Sequence, residues 1–320
     1  MATIINKSEI LKILSKVDVI QAMEEGFIQY SNGNCVVPPV GELIMNDPPG
    51  DVHIKYGYIK GDDYYVIKIA SGFYENPKIG LSSGQGMMLL FSQKTGQPVS
   101  ILLDEGHLTD IRTAAAGALA AKYFAPSEIK SIGIIGSGVQ AKLQMMHIQK
   151  NNPCKCIWLW GRNKNHAEQL KLEWGDDYEV HIAESPAEVA QHSNLIVTTT
   201  PSQAPLLKAK DIRPGTTIIA VGSDTEHKQE LESSILKKAD LVIADSIPQS
   251  KSRGEIYRAV IDGALSGDDV VELGTAIQDK AYHRSNDRQI IVADLTGVAV
   301  QDIMITSAVY EQYIKASEVS

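Results

Sequence analysis

Residues 131–144, SIGIIGSGVQAKLQ, decide how this chain folds. Ile132, Gly133, Ile134 and Ile135 read as a short buried strand that runs straight into Gly136-Ser137-Gly138-Val139-Gln140-Ala141, a G-x-G-x-x-A fingerprint. Residues 142–150 follow with good helix formers and no breaker. Gly136 permits the tight turn, Gly138 lets the backbone approach a pyrophosphate, and Ala141 lets helix and strand pack closely. The start of that helix offers unpaired N–H groups and a positive dipole end to phosphates. A glycine triplet by itself also serves plain strand–helix turns. Here strand, loop and helix are all in register, and the whole reads as a dinucleotide site with Ser137, Val139 and Gln140 among its contacts.

Working outward, the chain beyond 131 alternates strand and helix. Strands are expected at 132–135, 156–160, 180–183, 195–199, 217–221, 241–244 and 290–293. Ser185-Pro186-Ala187-Glu188 is a capping box with proline at the first helical position. Such alternation means parallel strands with crossover helices, a doubly wound α/β sheet of Rossmann type. The texture before it differs. Residues 8–32 read as helical and stop at Gly33. Residues 53–58, 64–70, 86–91 and 98–104 read as strands, with hairpin-length turns at Gly61-Asp62-Asp63 and Lys94-Thr95-Gly96. That spacing predicts a separate α+β domain with a largely antiparallel sheet. A helix starts near Thr109 and continues into the small-residue run 114–122, and 298–316 forms a last helix that returns to the first domain. The expected division is 1–118 with 300–320, against 119–299.

The bulk numbers narrow the function. With 43% hydrophobic and 22% charged residues, 320 residues suffice for two globular domains. A net charge of -9 argues against nucleic acid or an anionic membrane as partner. No apolar run approaches the roughly 18 residues of a membrane span. Residues 1–16 carry Lys and Glu among their apolar positions and show no signal-peptide pattern. Cys35, Cys154 and Cys156 lack metal-type spacing and read as reduced thiols, which fits a cytoplasmic protein with no metal.

Several polar residues stand where chemistry is done. Strand 156–160 ends in Gly161-Arg162-Asn163-Lys164, where an acidic residue usually holds the ribose 2′-hydroxyl of NAD. Arg162 and Asn163 suit a 2′-phosphate instead and favour NADP over NAD, the rival reading being a solvated basic turn. Arg112, followed by Thr113, lies near a helix start, where a cation is disfavoured unless an anion joins it, the rival reading being an ordinary exposed arginine. Lys68 interrupts the strand Val66-Ile67-Lys68-Ile69-Ala70; its face is either solvent or, if buried, needs a negative partner. His53 and Lys55 share one strand face, which is a wet face or one that adds positive potential to a pocket. Asp224 follows Val221-Gly222-Ser223 at the carboxyl end of a parallel strand, placed either to shuttle a proton or to cap the next turn. Thr198, Thr199 and Thr200 lie where a dinucleotide's middle would pass, and Leu295 and Gly297 where its nicotinamide end would.

Taken in order, VIKIASGFYENP, LTDIRTAAAGALAAKY, GSGVQA, WGRN, VGSDTEHKQEL and DLTGVAVQD make the chain resemble the ornithine cyclodeaminase/mu-crystallin family from end to end. The resemblance implies an N-terminal substrate and dimerisation domain, completed by the C-terminal helix, beside a Rossmann NAD(P) domain, and a homodimer. It implies that Lys68 and Arg112 clamp a substrate α-carboxylate and that Asp224 is the acid/base group at the substrate nitrogen. Thr113, Val221 and Leu295 join the cofactor contacts, and Lys55, His53, Val40 and Gly297 the substrate contacts. Many members carry an arginine where Val40 stands, and ornithine cyclodeaminases a glutamate near His53 and Lys55. The implied activity is an NAD(P)-dependent amino- or imino-acid oxidoreductase acting at an α-carbon. The alternatives within the family are an ammonia-releasing cyclodeaminase and a non-catalytic ligand-binding protein like mu-crystallin.

Overall fold

The computed structural model describes residues 2–73 and 75–318. Tyr74, inside VIKIASGFYENP, lies outside the described residues. The chain divides into two compact units: the residues up to Arg112 with those from Val298 onward, and Thr113–Gly297. Both dividing points fall slightly before the expected ones. The first lies inside a helix, where a reading based on texture has no break to detect.

The first unit opens with β1 (Thr3–Asn6), α1 (Lys7–Leu14) and α2 (Val19–Ser31). The expected single helix is therefore two. Asp18 caps the second, its carboxylate accepting from Gln21 N at 3.1 Å. Then come β2 (Cys35–Val36), β3 (Gly41–Asn46), β4 (Pro49–Ile59), β5 (Tyr64–Phe73), β6 (Gly84–Ser92) and β7 (Pro98–Leu103). The sheet order is β1-β7-β6-β5-β4-β2, with β3 also on β4. Pairing is antiparallel except for β1 on β7.

Register sorts this sheet into two faces. One row runs Ile5, Leu102, Met88, Lys68, Lys55, each opposite the next, and every member is buried. The adjacent row, Ile4, Ile101, Leu89, Ile67, Tyr56, points the other way and stays partly or fully exposed. α3 (His107–Phe124) starts in this unit and carries the chain into the second.

The second unit continues with β8 (Ile132–Ile135), α4 (Val139–Gln149), β9 (Cys156–Trp160), α5 (Lys164–Trp174), β10 (Glu179–Ile182), α6 (Pro186–His192) and β11 (Leu195–Thr198). It is completed by β12 (Thr217–Ala220), α7 (Ser233–Lys238), β13 (Leu241–Ala244), α8 (Gly254–Ile261), β14 (Val270–Glu272), α9 (Leu273–Gln278) and β15 (Ile291–Asp294). All pairings in the order β10-β9-β8-β11-β12-β15-β13-β14 are parallel. β8, β11, β12 and β15 are buried along their whole length, as central strands covered on both faces must be. Chain order turns back between β8 and β11, so the crevice at their carboxyl ends is the topological switch point.

The chain then returns to the first unit as α10 (Ala299–Glu318), which packs with α1 and α2 against β4, β5 and β6. Gly26 of α2 allows close approach, since a Cβ there would lie 2.6 Å from Met304 Cγ. Among the described residues no helix is long and apolar enough to cross a membrane, and all three cysteines are free.

Candidate active site

In the second unit, the switch point is built around Gly136. Its φ of +128° is a conformation that suits glycine, and a Cβ there would run into Thr199 Oγ1. The turn is held on both sides: Gly136 N donates to Trp160 O at 2.8 Å and Thr199 N to Ile135 O at 2.8 Å. Gly138 caps α4 in extended conformation with no side-chain hydrogen bond to the first turn, so those N–H groups face a possible ligand. Gly161 lets Ser137 close in from the neighbouring loop, with a Cβ position 2.5 Å from Ser137 Oγ.

The resulting cleft, about 810 Å³, is lined by Gly136, Ser137, Gly138, Arg162, Asn163, Thr199 and Thr200 among others. A glycine cradle, an open helix N-terminus and a cleft of this size fit a dinucleotide. Arg162 is exposed at the rim, and Asn163 caps α5 by accepting from Asn165 N at 3.0 Å. No aspartate or glutamate lines the cleft among the described residues.

Other residues expected at the cofactor do not line this cleft. Val139 projects outward and is 60% exposed. Gln140 and Thr113 both accept from Gln144 Nε2, at 3.4 and 3.1 Å. Thr198 is fully buried behind the cleft wall and gives its hydroxyl to Glu230 Oε2 at 2.7 Å. Val221 and Leu295 are buried at the same edge of the sheet, and Gly297 N donates to Asp245 Oδ2 at 2.7 Å.

Asp224 lies beyond β12, 42% exposed, with Lys228 Nζ at 2.6 Å from its Oδ1. No helix begins at the next turn for it to cap; its partner is a cation four residues on. Further acids stand at this edge of the sheet, two of them, Glu230 and Asp294, inside the stretches VGSDTEHKQEL and DLTGVAVQD. Glu230, Glu255, Asp294 and Asp245 are all buried. Burial pushes Glu230 up to about 7, against the pull of its hydrogen bonds. Burial and then the neighbouring Glu230 push Glu255 up to about 8, and burial and then Glu255 hold Asp294 well above the usual carboxylate range.

In the first unit, Lys68 lies on the covered face of β5 and is 2% exposed, which settles the choice left open by the alternation. Its Nζ is 3.6 Å from Asp302 Oδ2 of α10. Arg112 Nε donates to Asp302 Oδ1 at 3.1 Å and Nη1 to Gln301 Oε1 at 3.3 Å. Gln301 is itself fixed, accepting from Val298 N at 2.8 Å and donating to Arg112 O at 3.2 Å. Two cations, one from β5 and one from α3, thus converge on the buried carboxylate of Asp302.

Lys55 is buried beside Lys68, whereas His53 has Glu42 and Asp51 carboxylates at 3.4 and 3.5 Å that offset the expected positive potential. Val40 is half-buried between β2 and β3. Asp302 ends the stretch DLTGVAVQD, but nothing in the sequence assigns it a role, since the helix dipole alone would explain an acid in the first turn.

Comparison with known proteins bears on the whole chain. The model of the ornithine cyclodeaminase/mu-crystallin family matches residues 2–317. Alanine dehydrogenase from Archaeoglobus fulgidus is 33% identical over 309 residues, 96% of this chain and 94% of its own. A solved archaeal alanine dehydrogenase dimer with bound NAD superposes with a TM-score of 0.90 at 29% identity, covering 99% of this chain and 97% of that one. The Δ1-pyrroline-2-carboxylate reductase of Thermococcus litoralis, solved with NADH and L-proline, gives a TM-score of 0.90 at 27% identity, with 98% of each chain covered.

Proposed function

Because the chain belongs to the ornithine cyclodeaminase/mu-crystallin family, we propose that it is a nicotinamide-dinucleotide oxidoreductase acting at the α-carbon of an amino or imino acid. One observation carries this reading: Lys68 and Arg112, both buried, are brought together by one carboxylate, that of Asp302, so that two cations stand side by side. The dinucleotide, held by Gly136, Ser137, Gly138, Thr199 and Thr200, supplies the hydride acceptor or donor. Asp302 and Gln301 engage Nε and Nη1 of Arg112 and so fix the guanidinium plane, leaving its Nη2 edge for a substrate carboxylate. Lys68 adds a point charge to the same anion. Fixing the carboxylate orients the α-carbon, and such positioning is worth much of the rate. Asp224 exchanges a proton with the substrate nitrogen and stabilises its cationic imine form, while Lys228 restrains that carboxylate.

Arg162 and Asn163 at the rim, with no acid lining the cleft among the described residues, favour NADP over NAD. Cyclic imino acids, and α-keto acids with amines, mixed with NADPH or NADH provide the test. Oxidation of NAD(P)H is expected, with the higher kcat/KM for NADPH. Ammonia release from a diamino acid without net change in the dinucleotide would overturn this in favour of a cyclodeaminase. Turnover of neither kind would leave a binding protein.

The exposed row Ile4, Ile101, Leu89, Ile67 and Tyr56 supports a homodimer formed through this sheet face. Leu89→Glu is expected to shift the mass in solution, measured by light scattering, from two chains to one. An unchanged mass would rule that face out.

A further inference from the structure

At the carboxyl edge of the parallel sheet, four buried acids form a series in which each ties down the next loop. Asp245, after β13, accepts from Thr296 Oγ1 at 2.9 Å and Gly297 N at 2.7 Å. Asp294, ending β15, accepts from Ile256 N at 2.9 Å at the start of α8. Gly254 adjoins it with a φ of +90°, and a Cβ there would lie 2.5 Å from Asp294 Oδ2. Glu255, in α8, accepts from Glu230 N at 2.7 Å and Leu231 N at 3.1 Å. Glu230 ends the series with four hydrogen bonds. Its Oε2 accepts from Thr198 Oγ1 at 2.7 Å and Gly222 N at 2.9 Å. Its Oε1 accepts from Thr200 N at 2.6 Å and Thr200 Oγ1 at 2.8 Å.

The two oxygens of Glu230 therefore hold two different loops. Thr200 lines the dinucleotide cleft, and Gly222 lies two residues before Asp224. The loops touch backbone to backbone at this point. A Cβ on Gly222 would run into Thr200 N and O and come within 2.7 Å of Glu230 Oε2. Burying an acid here opposes folding, and Glu230's position near neutrality reflects that opposition. What the acid offers over a neutral side chain is two acceptor atoms that each take two donors. Two of the four donors are backbone N–H groups, which cannot turn around. A glutamine would set its own NH₂ against one of them.

We propose that Glu230 is a positioning residue of the reaction, its carboxylate setting the spacing between the dinucleotide-facing loop 198–200 and the Asp224 loop. The proposal rests on the roles assigned above to Thr200 and Asp224, and its test separates the two. Glu230→Gln and Thr200→Val are compared with the wild-type full chain. The readouts are NADPH affinity by quenching of tryptophan fluorescence, steady-state kinetics, the urea midpoint, and amide hydrogen exchange at 198–200 and 222–224.

Glu230→Gln is expected to weaken NADPH affinity and lower kcat, each by roughly 10- to 100-fold, and to speed exchange in both loops. Thr200→Val keeps its backbone N–H and loses one hydroxyl donor, so it should move the same quantities less. It decides the matter if Glu230→Gln does not fold. A lower urea midpoint with unchanged affinity and kcat overturns the proposal, as does faster exchange in one loop only. A wild-type chain that binds NADPH and turns over no substrate sinks the assigned reaction instead. The coupling of the two loops is then judged by affinity and exchange alone.

Discussion

Lys68 shows how far a single position can be read. A lysine between Ile67 and Ile69 places it opposite them, but alternation cannot say which face is covered. That is decided by α10, more than two hundred residues on, and so is Arg112's partner Asp302. The turn at Gly136 was legible because its backbone geometry is local. Glu230 and Glu255 were not. Their burial comes from loops that meet only in the folded sheet; Glu230 stands inside VGSDTEHKQEL, yet nothing in that stretch marks it as buried. Asp224 drew notice by its place after a parallel strand, and β12 does end just before it. The variant Asp224→Asn keeps the shape and removes the charge proposed to exchange a proton. Turnover is expected to fall by about 10²- to 10⁴-fold with NADPH affinity unchanged. Comparable turnover in the variant would take Asp224 out of the mechanism.

Among the elements, the parallel strands were readable nearly residue by residue, because buried β-branched runs between helices have few alternative readings. Errors arose where a short element depends on its neighbours. β14 has three residues and exists because β13 pairs with it, and the break between α1 and α2 turns on the capping of Asp18. α10 was expected as a helix, yet its decisive feature is one side chain. Asp302 joins β5, α3 and α10 through Lys68 and Arg112. Removing that charge while keeping its shape, as in Asp302→Asn, leaves two buried cations short of their shared anion. A loss of roughly 3–5 kcal/mol is expected in urea unfolding. The substrate KM should change as well, since the guanidinium loses its orientation. A variant as stable as the wild type would mean that the cations find compensation elsewhere.

For the molecule as a whole, the buried acids set a pH dependence. Glu230 and Glu255 titrate near 4.5 when unfolded and are raised to about 7 and about 8 when folded. Between those limits the folded chain holds protons that the unfolded chain has released. Their contribution is therefore complete below about 4.5 and is lost as pH rises through 7 and 8. The urea midpoint should accordingly be lower at about pH 9 than at about pH 5, and Glu255→Gln should flatten the difference. A midpoint that rises over that range would contradict the assignment.

The first unit is built from both ends of the chain, with the whole of Thr113–Gly297 between its parts. During synthesis Lys68 and Arg112 are made well before Asp302, which follows Arg112 by 190 residues. Every strand of the parallel sheet is thus synthesised before α10, which packs on β4, β5 and β6 of the antiparallel sheet. Lys68 and Arg112 can therefore meet their shared partner Asp302 only after the whole of Thr113–Gly297 has been made.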